Sequence, residues 1–137
     1  MKTPKSRYVV QNRHEIHDEL CIQNLKGEDV LVLPVTLRVD DVLAQYNRLR
    51  RILGEAQHAV MQNPEDEAAL ASYGTVVIAL FEVIFGADGV KKLTDYYGER
   101  YGEMLEDVAP FIVDRIQTQF EVAMKARIKN YRKLAAR

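Results

Sequence analysis

Between Val76 and Phe85 every position is apolar except Glu82. A helix that is apolar almost all round has no face to give to water, so other elements must surround it. Its start is written in Asn63-Pro64-Glu65-Asp66-Glu67: Asn63 can cap, Pro64 suits the first helical position, and acids fill the first turn. Gly86 supplies the left-handed conformation that closes a helix. The run falls short of the roughly 20 apolar residues of a bilayer span, so the sequence predicts the central helix of a soluble bundle.

The flanking segments supply what would surround it. Asp40 and Asp41 place acid at the positive end of a helix dipole. Val42, Tyr46, Leu49, Leu53, Ala56 and Val60 then recur at helical spacing, with Asn47, Arg48, Arg50, Arg51, Glu55 and Gln57 elsewhere. A short helix is expected from Asp88 to Tyr97, stopped by Gly98. A last one begins near Tyr101 and carries Leu105, Val108, Ile112, Ile116, Phe120, Met124, Ile128 and Tyr131 on one side. Pro110 either kinks it or opens a new helix. Upstream, Leu20-Cys21-Ile22 and Val30 to Leu37 read as two strands joined by the turn Asn24 to Asp29, with Gly27 free to take positive φ. Pro34 confines the second strand to an edge or ends it early. Two strands are marginal alone, so the hairpin must lie on the helices. The reading is a mainly α protein, a helical bundle with a small N-terminal β-hairpin, in one domain over 1–137. Residues 1–13 are a flexible arm or weak strand, 18–37 the hairpin and 40–137 helical.

With 137 residues, 47% hydrophobic and 28% charged, the chain can bury a core. A net charge of −1 excludes a uniformly basic nucleic-acid coat and a strongly acidic mimic. The single cysteine, Cys21, excludes an internal disulfide framework and points to a reducing compartment. Its apolar neighbours make it a small buried hydrophobe. No signal peptide is visible in the first residues. His14 and His17, interleaved with Glu15, Asp18 and Glu19, are the nearest approach to a metal cluster. On a strand, however, a three-residue separation puts the two rings on opposite faces, and His58 stands alone. Ser6 and Ser72 lack a nucleophile's context. Gly86-Ala87-Asp88-Gly89 lacks the Gly-Lys-Ser/Thr of a phosphate loop and reads as a helix-to-helix turn. Glu99, Glu103, Glu106, Asp107 and Asp114 have no downstream histidine to complete a di-iron site and read as a solvated face. The expectation is a non-enzymatic protein with no catalytic residue, no metal and no cofactor.

The C-terminus carries the least ordinary pattern. From Val122 onward every charged side chain is basic: Lys125, Arg127, Lys129, Arg132, Lys133 and Arg137. Cations at a helix C-terminus complement its dipole. The functional alternative is a cationic segment that meets another molecule, and Ile128, Tyr131 and Leu134 stay in helical phase along it. The candidate partner-binding residues are therefore Lys125, Arg127, Ile128, Lys129, Tyr131, Arg132 and Lys133. A small helical nucleic-acid-binding protein using this basic helix is the alternative function, although a neutral to acidic remainder weakens it.

The stretch Phe85-Gly86-Ala87-Asp88-Gly89-Val90-Lys91-Lys92-Leu93, then Asp95-Tyr96-Tyr97-Gly98, then Tyr101-Gly102-Glu103-Met104-Leu105 through Pro110-Phe111-Ile112 resembles the tail assembly chaperones of siphophages and related prophages. The hairpin with its glycine turn and the helix with Tyr46 and Arg50 are similar in layout, so the resemblance spans Glu19 to the C-terminus. It implies a cytoplasmic escort in the bacterial host that binds the tape measure protein, keeps it from aggregating and hands it to the tail tube protein. Such a chaperone is absent from the mature virion and binds no membrane. Relatives also occur in a longer, frameshifted form, for which codons at Ile128-Lys129-Asn130 would be the slippery site. Spare apolar faces make self-association a further expectation.

Overall fold

The computed structural model describes residues 6–10 and 14–136. In chain order it contains β1 (Glu15–Gln23), β2 (Asp29–Arg38), α1 (Val39–Gln62), α2 (Glu67–Tyr97), α3 (Tyr101–Phe111), a π-helical segment (Ile112–Gln117) and α4 (Thr118–Ala135). The fold is mainly α with a two-stranded antiparallel N-terminal hairpin, as the sequence reads. Of the expected arm, residues 1–5 and 11–13 lie outside the described residues, as does Arg137; Ser6 to Val10 are exposed and in neither helix nor strand.

The hairpin turns at Gly27, whose φ of 80° only glycine takes freely. Asn24 holds the turn, its Oδ1 accepting from the backbone N–H of Lys26 (2.9 Å) and Glu28 (3.1 Å). β1 begins at Glu15, earlier than its apolar run suggests. Its inward row is Ile16, Asp18, Leu20 and Ile22, so a polar residue sits in a core register and hides the alternation. β2 faces inward with Leu33, Val35 and Leu37. Pro34 stays inside β2 opposite Glu19; in a two-stranded sheet both strands are edges, so its missing N–H is tolerated.

β2 passes into α1 without a loop, and the Val39 N–H donates to the His14 carbonyl at 2.9 Å. Asp40 and Asp41 occupy the first turn as expected. Tyr46, Leu49 and Leu53 are buried, but the stripe thins beyond them and Met61 is 78% exposed.

The start of α2 differs from expectation. Asp66 is the cap, accepting from the N–H of Ala68 (3.0 Å) and Ala69 (3.4 Å). Asn63 instead closes α1, its N–H donating to the Ala59 carbonyl. Pro64 biases the preceding residue to extended backbone, which suits an ending helix and leaves the later acid to start the next one. Gly86 (φ 74°, ψ 175°) breaks α2 where the sequence places a stop, and the shorter second piece ends at Gly98 (φ 64°). Val77, Leu80, Phe81, Ile84 and Phe85 form the centre of the core against β2. Counting only Val76 to Phe85 understates this helix. Over its full length α2 is long and apolar enough to cross a membrane, with a window of mean hydropathy 2.0. A core helix meets the same test; here a third of that window is buried in the fold, and the helix is broken at Gly86.

α3, the π segment and α4 run on from one another. Pro110 neither opens a new helix nor breaks this one: it lies in the last turn of α3, and the wider π turn begins two residues later. Proline removes one ladder hydrogen bond, and an i→i+5 segment absorbs the misfit. The buried side carries Met104, Leu105, Val108, Ile112, Ile116 and Phe120. The sequence extends that side to Tyr131, yet burial ends at Phe120, with Met124 half-buried.

Candidate interaction surface

α4 is held to the body at its first half. The Phe120 ring lies 5.0 Å from that of Tyr46, and the Tyr46 hydroxyl donates to Gln117 Oε1 at 3.0 Å. Farther along, the Arg127 guanidinium pairs with Asp40 in the first turn of α1. Contacts that ascend α4 therefore descend α1, so beyond Ile128 the helix leaves α1's N-terminal end. Among the described residues this end is largely open, with only Tyr8, Val9 and Val10 across a groove from Asn130 and Tyr131: Ile128 is 45%, Tyr131 62% and Leu134 77% exposed. At 100° per residue these three share one side with Met124, while Lys125, Lys129, Arg132 and Lys133 take another.

The predicted set thus divides. Lys125, Ile128, Lys129, Tyr131, Arg132 and Lys133 are exposed together, and Arg127 is not among them. Its side chain is largely covered and serves as an anchor to Asp40. The dipole accounts for Arg132 and Lys133 in the last turn. It does not account for Lys125 or Lys129, and none of these four cations is in an ion pair among the described residues.

A second surface has no counterpart in the sequence reading. The C-terminal half of α1, the N-terminal half of α2 and the start of α3 enclose an open cleft of about 1100 Å³ lined by Val60, Met61, Leu70, Tyr73, Ile78 and Tyr101. Gly74 permits it: a Cβ there would lie 2.7 Å from the Tyr101 ring, so any larger residue would push α3 away. Glu99 is the only charged lining residue among those described. The signal that could have found it is the stripe of α1, whose Ala56 and Val60 continue in phase with no partner in sequence. A further groove of about 1200 Å³ separates Tyr8, Val9 and Val10 from α4.

The hairpin is fastened under the π segment and α4 by Asp18, one of the acids interleaved with His14 and His17. Asp18, its side chain 6% exposed, accepts from Arg115 Nε (3.1 Å) and Nη2 (2.9 Å) and from Gln119 Nε2 (3.0 Å).

The residues weighed for chemistry do not converge. His17 is exposed and bonded to Glu15 at 3.0 Å, while His14 precedes β1. Cys21 is exposed, contrary to its expected burial, because it falls on the outward row of β1. Its thiol hydrogen bond to Asp29, together with desolvation and the charges of Asp29 and Glu19, pushes its pKa up. Burial, then a hydrogen bond to Asp107 at 2.7 Å, raises the Tyr97 phenol well above its ordinary value. Among the described residues no group of three or more His, Cys, Asp or Glu is placed to hold a metal ion. Glu103 pairs with Arg100 and Asp107 with Tyr97, so those acids serve local structure. Compared with known proteins, the chain matches no family model, no curated protein and no solved structure.

Proposed function

We propose that this chain is a non-enzymatic tail assembly chaperone that binds the tape measure protein in the bacterial cytoplasm and releases it to the tail tube protein during assembly. The observation that carries the reading is the bare apolar stripe of Ile128, Tyr131 and Leu134 on a projecting helix. Soluble proteins rarely leave aligned apolar side chains uncovered without a partner. A stripe at helical spacing suits a partner that is itself an amphipathic helix, laid along it by i, i+3, i+4 anchors. A tape measure protein, long and helical, offers such stripes in quantity before tube subunits enclose it. The basic side of α4 adds attraction to an acidic flank of the partner and raises the encounter rate more than the affinity.

The test is capture of purified tape measure segments by the full chain. Replacing Ile128, Tyr131 and Leu134 together by Asp should weaken capture at least tenfold while leaving the core intact. Truncation after Phe120 should abolish it; unchanged capture by both variants would remove α4 from the function. Mass spectrometry of purified particles should find none of this chain, which separates an assembly factor from a minor structural component. The row of Lys125, Lys129, Arg132 and Lys133 favours one second reading, binding of nucleic acid. A salt titration divides the two, since phosphate binding weakens steeply as salt rises and apolar capture does not.

A further inference from the structure

The groove between the N-terminal arm and α4 runs along the same helix as the exposed stripe, and Tyr131 belongs to both. One wall is α4, through Val122, Ala123, Ala126 and Tyr131. The other is the arm, through Tyr8, Val9 and Val10. These three arm residues are consecutive, apolar and 89%, 61% and 74% exposed, so they stand outside the core. The floor lies where β1 and α1 begin, at Glu15 and Asp40. Both floor carboxylates are already engaged: Asp40 pairs with Arg127, and Glu15 with Arg38 and the His17 ring.

Shape and charge together select one kind of occupant. The groove's volume of about 1200 Å³ equals that of a cylinder about 10 Å across and roughly 15 Å long, which is about ten residues of α-helix. The small side chains of Ala123 and Ala126 let such a helix approach α4 closely, while Tyr8 and Tyr131 flank it from opposite walls. Beside both walls the unpaired charges are basic. Lys129 and Lys133 lie seven residues beyond Val122 and Ala126 and so continue the groove side of α4. Arg7 precedes Tyr8 on the arm, and all three cations are exposed and outside every ion pair among the described residues. A helix with apolar residues toward the groove and acidic ones at its flanks complements that arrangement.

We propose that the N-terminal arm is the second jaw of the partner site: an amphipathic helix with acidic flanks lies in the groove, its apolar face on α4 and the stripe, and Tyr8, Val9 and Val10 close against its other side. The identity of that helix rests on the tape measure reading, and the arm adds to it a contact from the opposite end of the chain. Closure removes three apolar side chains from water, and ordering a short segment offsets part of that gain. The arm therefore sets how long the partner stays more than how often it is met.

The test pairs the full chain with a purified tape measure segment. Replacing the arm residues, Tyr8→Ser with Val9→Ser and Val10→Ser, should weaken capture about tenfold, mostly through faster dissociation. Tyr8→Phe with Val9→Ile and Val10→Ile should keep the wild-type affinity. All three positions are exposed, so both variants should unfold at the wild-type urea midpoint. Hydrogen exchange should show the amides of Tyr8 to Val10 slowed severalfold in the complex. A serine variant that holds the segment as tightly as the wild type, while the Asp variant of the α4 stripe loses it, would overturn the second jaw and leave the tape measure reading standing. Arm amides that exchange equally fast with and without the segment would overturn it too, since the arm would then act without touching the partner. A wild-type chain that captures no segment overturns the reading and the jaw together. Duplex DNA that displaces the segment and slows the same amides would assign the groove to nucleic acid, which also overturns the proposal.

Discussion

Removing Asp18 should cost less stability than removing Arg115, although the two form one ion pair. The reason is their unequal burial: the Asp18 side chain is 6% exposed and that of Arg115 64%. In Asp18→Ala the guanidinium returns to water and loses two charge-assisted hydrogen bonds. Such bonds contribute about 1.5–3 kcal/mol, and the solvent already around Arg115 reduces this to about 1–1.5 kcal/mol. In Arg115→Ala the carboxylate stays behind under α4, holding only the Gln119 amide and the Glu19 N–H. A carboxylate left partly unpaired in a covered site costs about 2–3 kcal/mol. The double variant should fall close to Asp18→Ala, because with no carboxylate present the loss of Arg115 removes nothing further. Equilibrium urea unfolding of the four proteins measures the cycle. With a slope of about 1.5–2 kcal/mol/M for a domain of this size, Arg115→Ala should lower the midpoint by roughly 1–1.5 M and Asp18→Ala by about half as much. Losses that add in the double variant, or a larger loss from Asp18→Ala, would mean that the hairpin is not tethered through a desolvated carboxylate.

The Tyr97 and Tyr46 phenols are both raised above 10 by burial. Above that pH the unfolded chain holds fewer protons than the folded one, so stability present below pH 10 is lost as pH rises through and beyond it; thermal melts should show this alkaline loss, and Tyr97→Phe should make it shallower at about 1 kcal/mol cost near neutrality. Cys21 is exposed, yet its hydrogen bond with Asp29 pushes the thiol pKa up. Alkylation at pH 8 should therefore be slower than for a free thiol, and Asp29→Ala should accelerate it severalfold. Two glycine-to-alanine changes with open space around them should differ in sign. Gly86→Ala forces a side chain to φ 74° and should destabilise by about 1–3 kcal/mol. Gly54→Ala in α1, with no such demand, should stabilise by about 0.5–1 kcal/mol.

What the sequence disclosed was whatever depends on short-range rules. The break at Gly86, the stop at Gly98, the turn at Gly27, the inward face of α1 from Tyr46 to Leu53 and the central place of α2 all follow from backbone freedom and apolar pattern. The cap at Asp66 was missed because Asn63 and Asp66 satisfy the same local rule, and the proline between them decides which helix each serves. Cys21 was misplaced because strand register, not the apolarity of its neighbours, fixes which way a residue points. The role of Asp18 is hidden for the same reason: nothing local marks an acid as inward-facing, and its partners, Arg115 and Gln119, are about a hundred residues away.

The candidate surface was half legible, and the missing half was of one kind. Periodicity reports that a helix has an apolar side, and it is silent on what covers that side. Along the last helix the phase is unchanged from Leu105 to Leu134, while cover ends near Phe120. The one change in the sequence at that point is the loss of acids after Glu121. A core-facing helix keeps mixed charge on its outer side, because i, i+4 pairs stabilise it there. A helix that gives up its acids while keeping its apolar phase has lost those pairs and gained a surface of one sign, of which the dipole accounts for Arg132 and Lys133 and an ion pair for Arg127, but nothing comparable for Lys125 or Lys129. The coincidence of exposed stripe and one-signed flank on α4 is what the tape measure proposal rests on, and truncation after Phe120 is the variant that tests it.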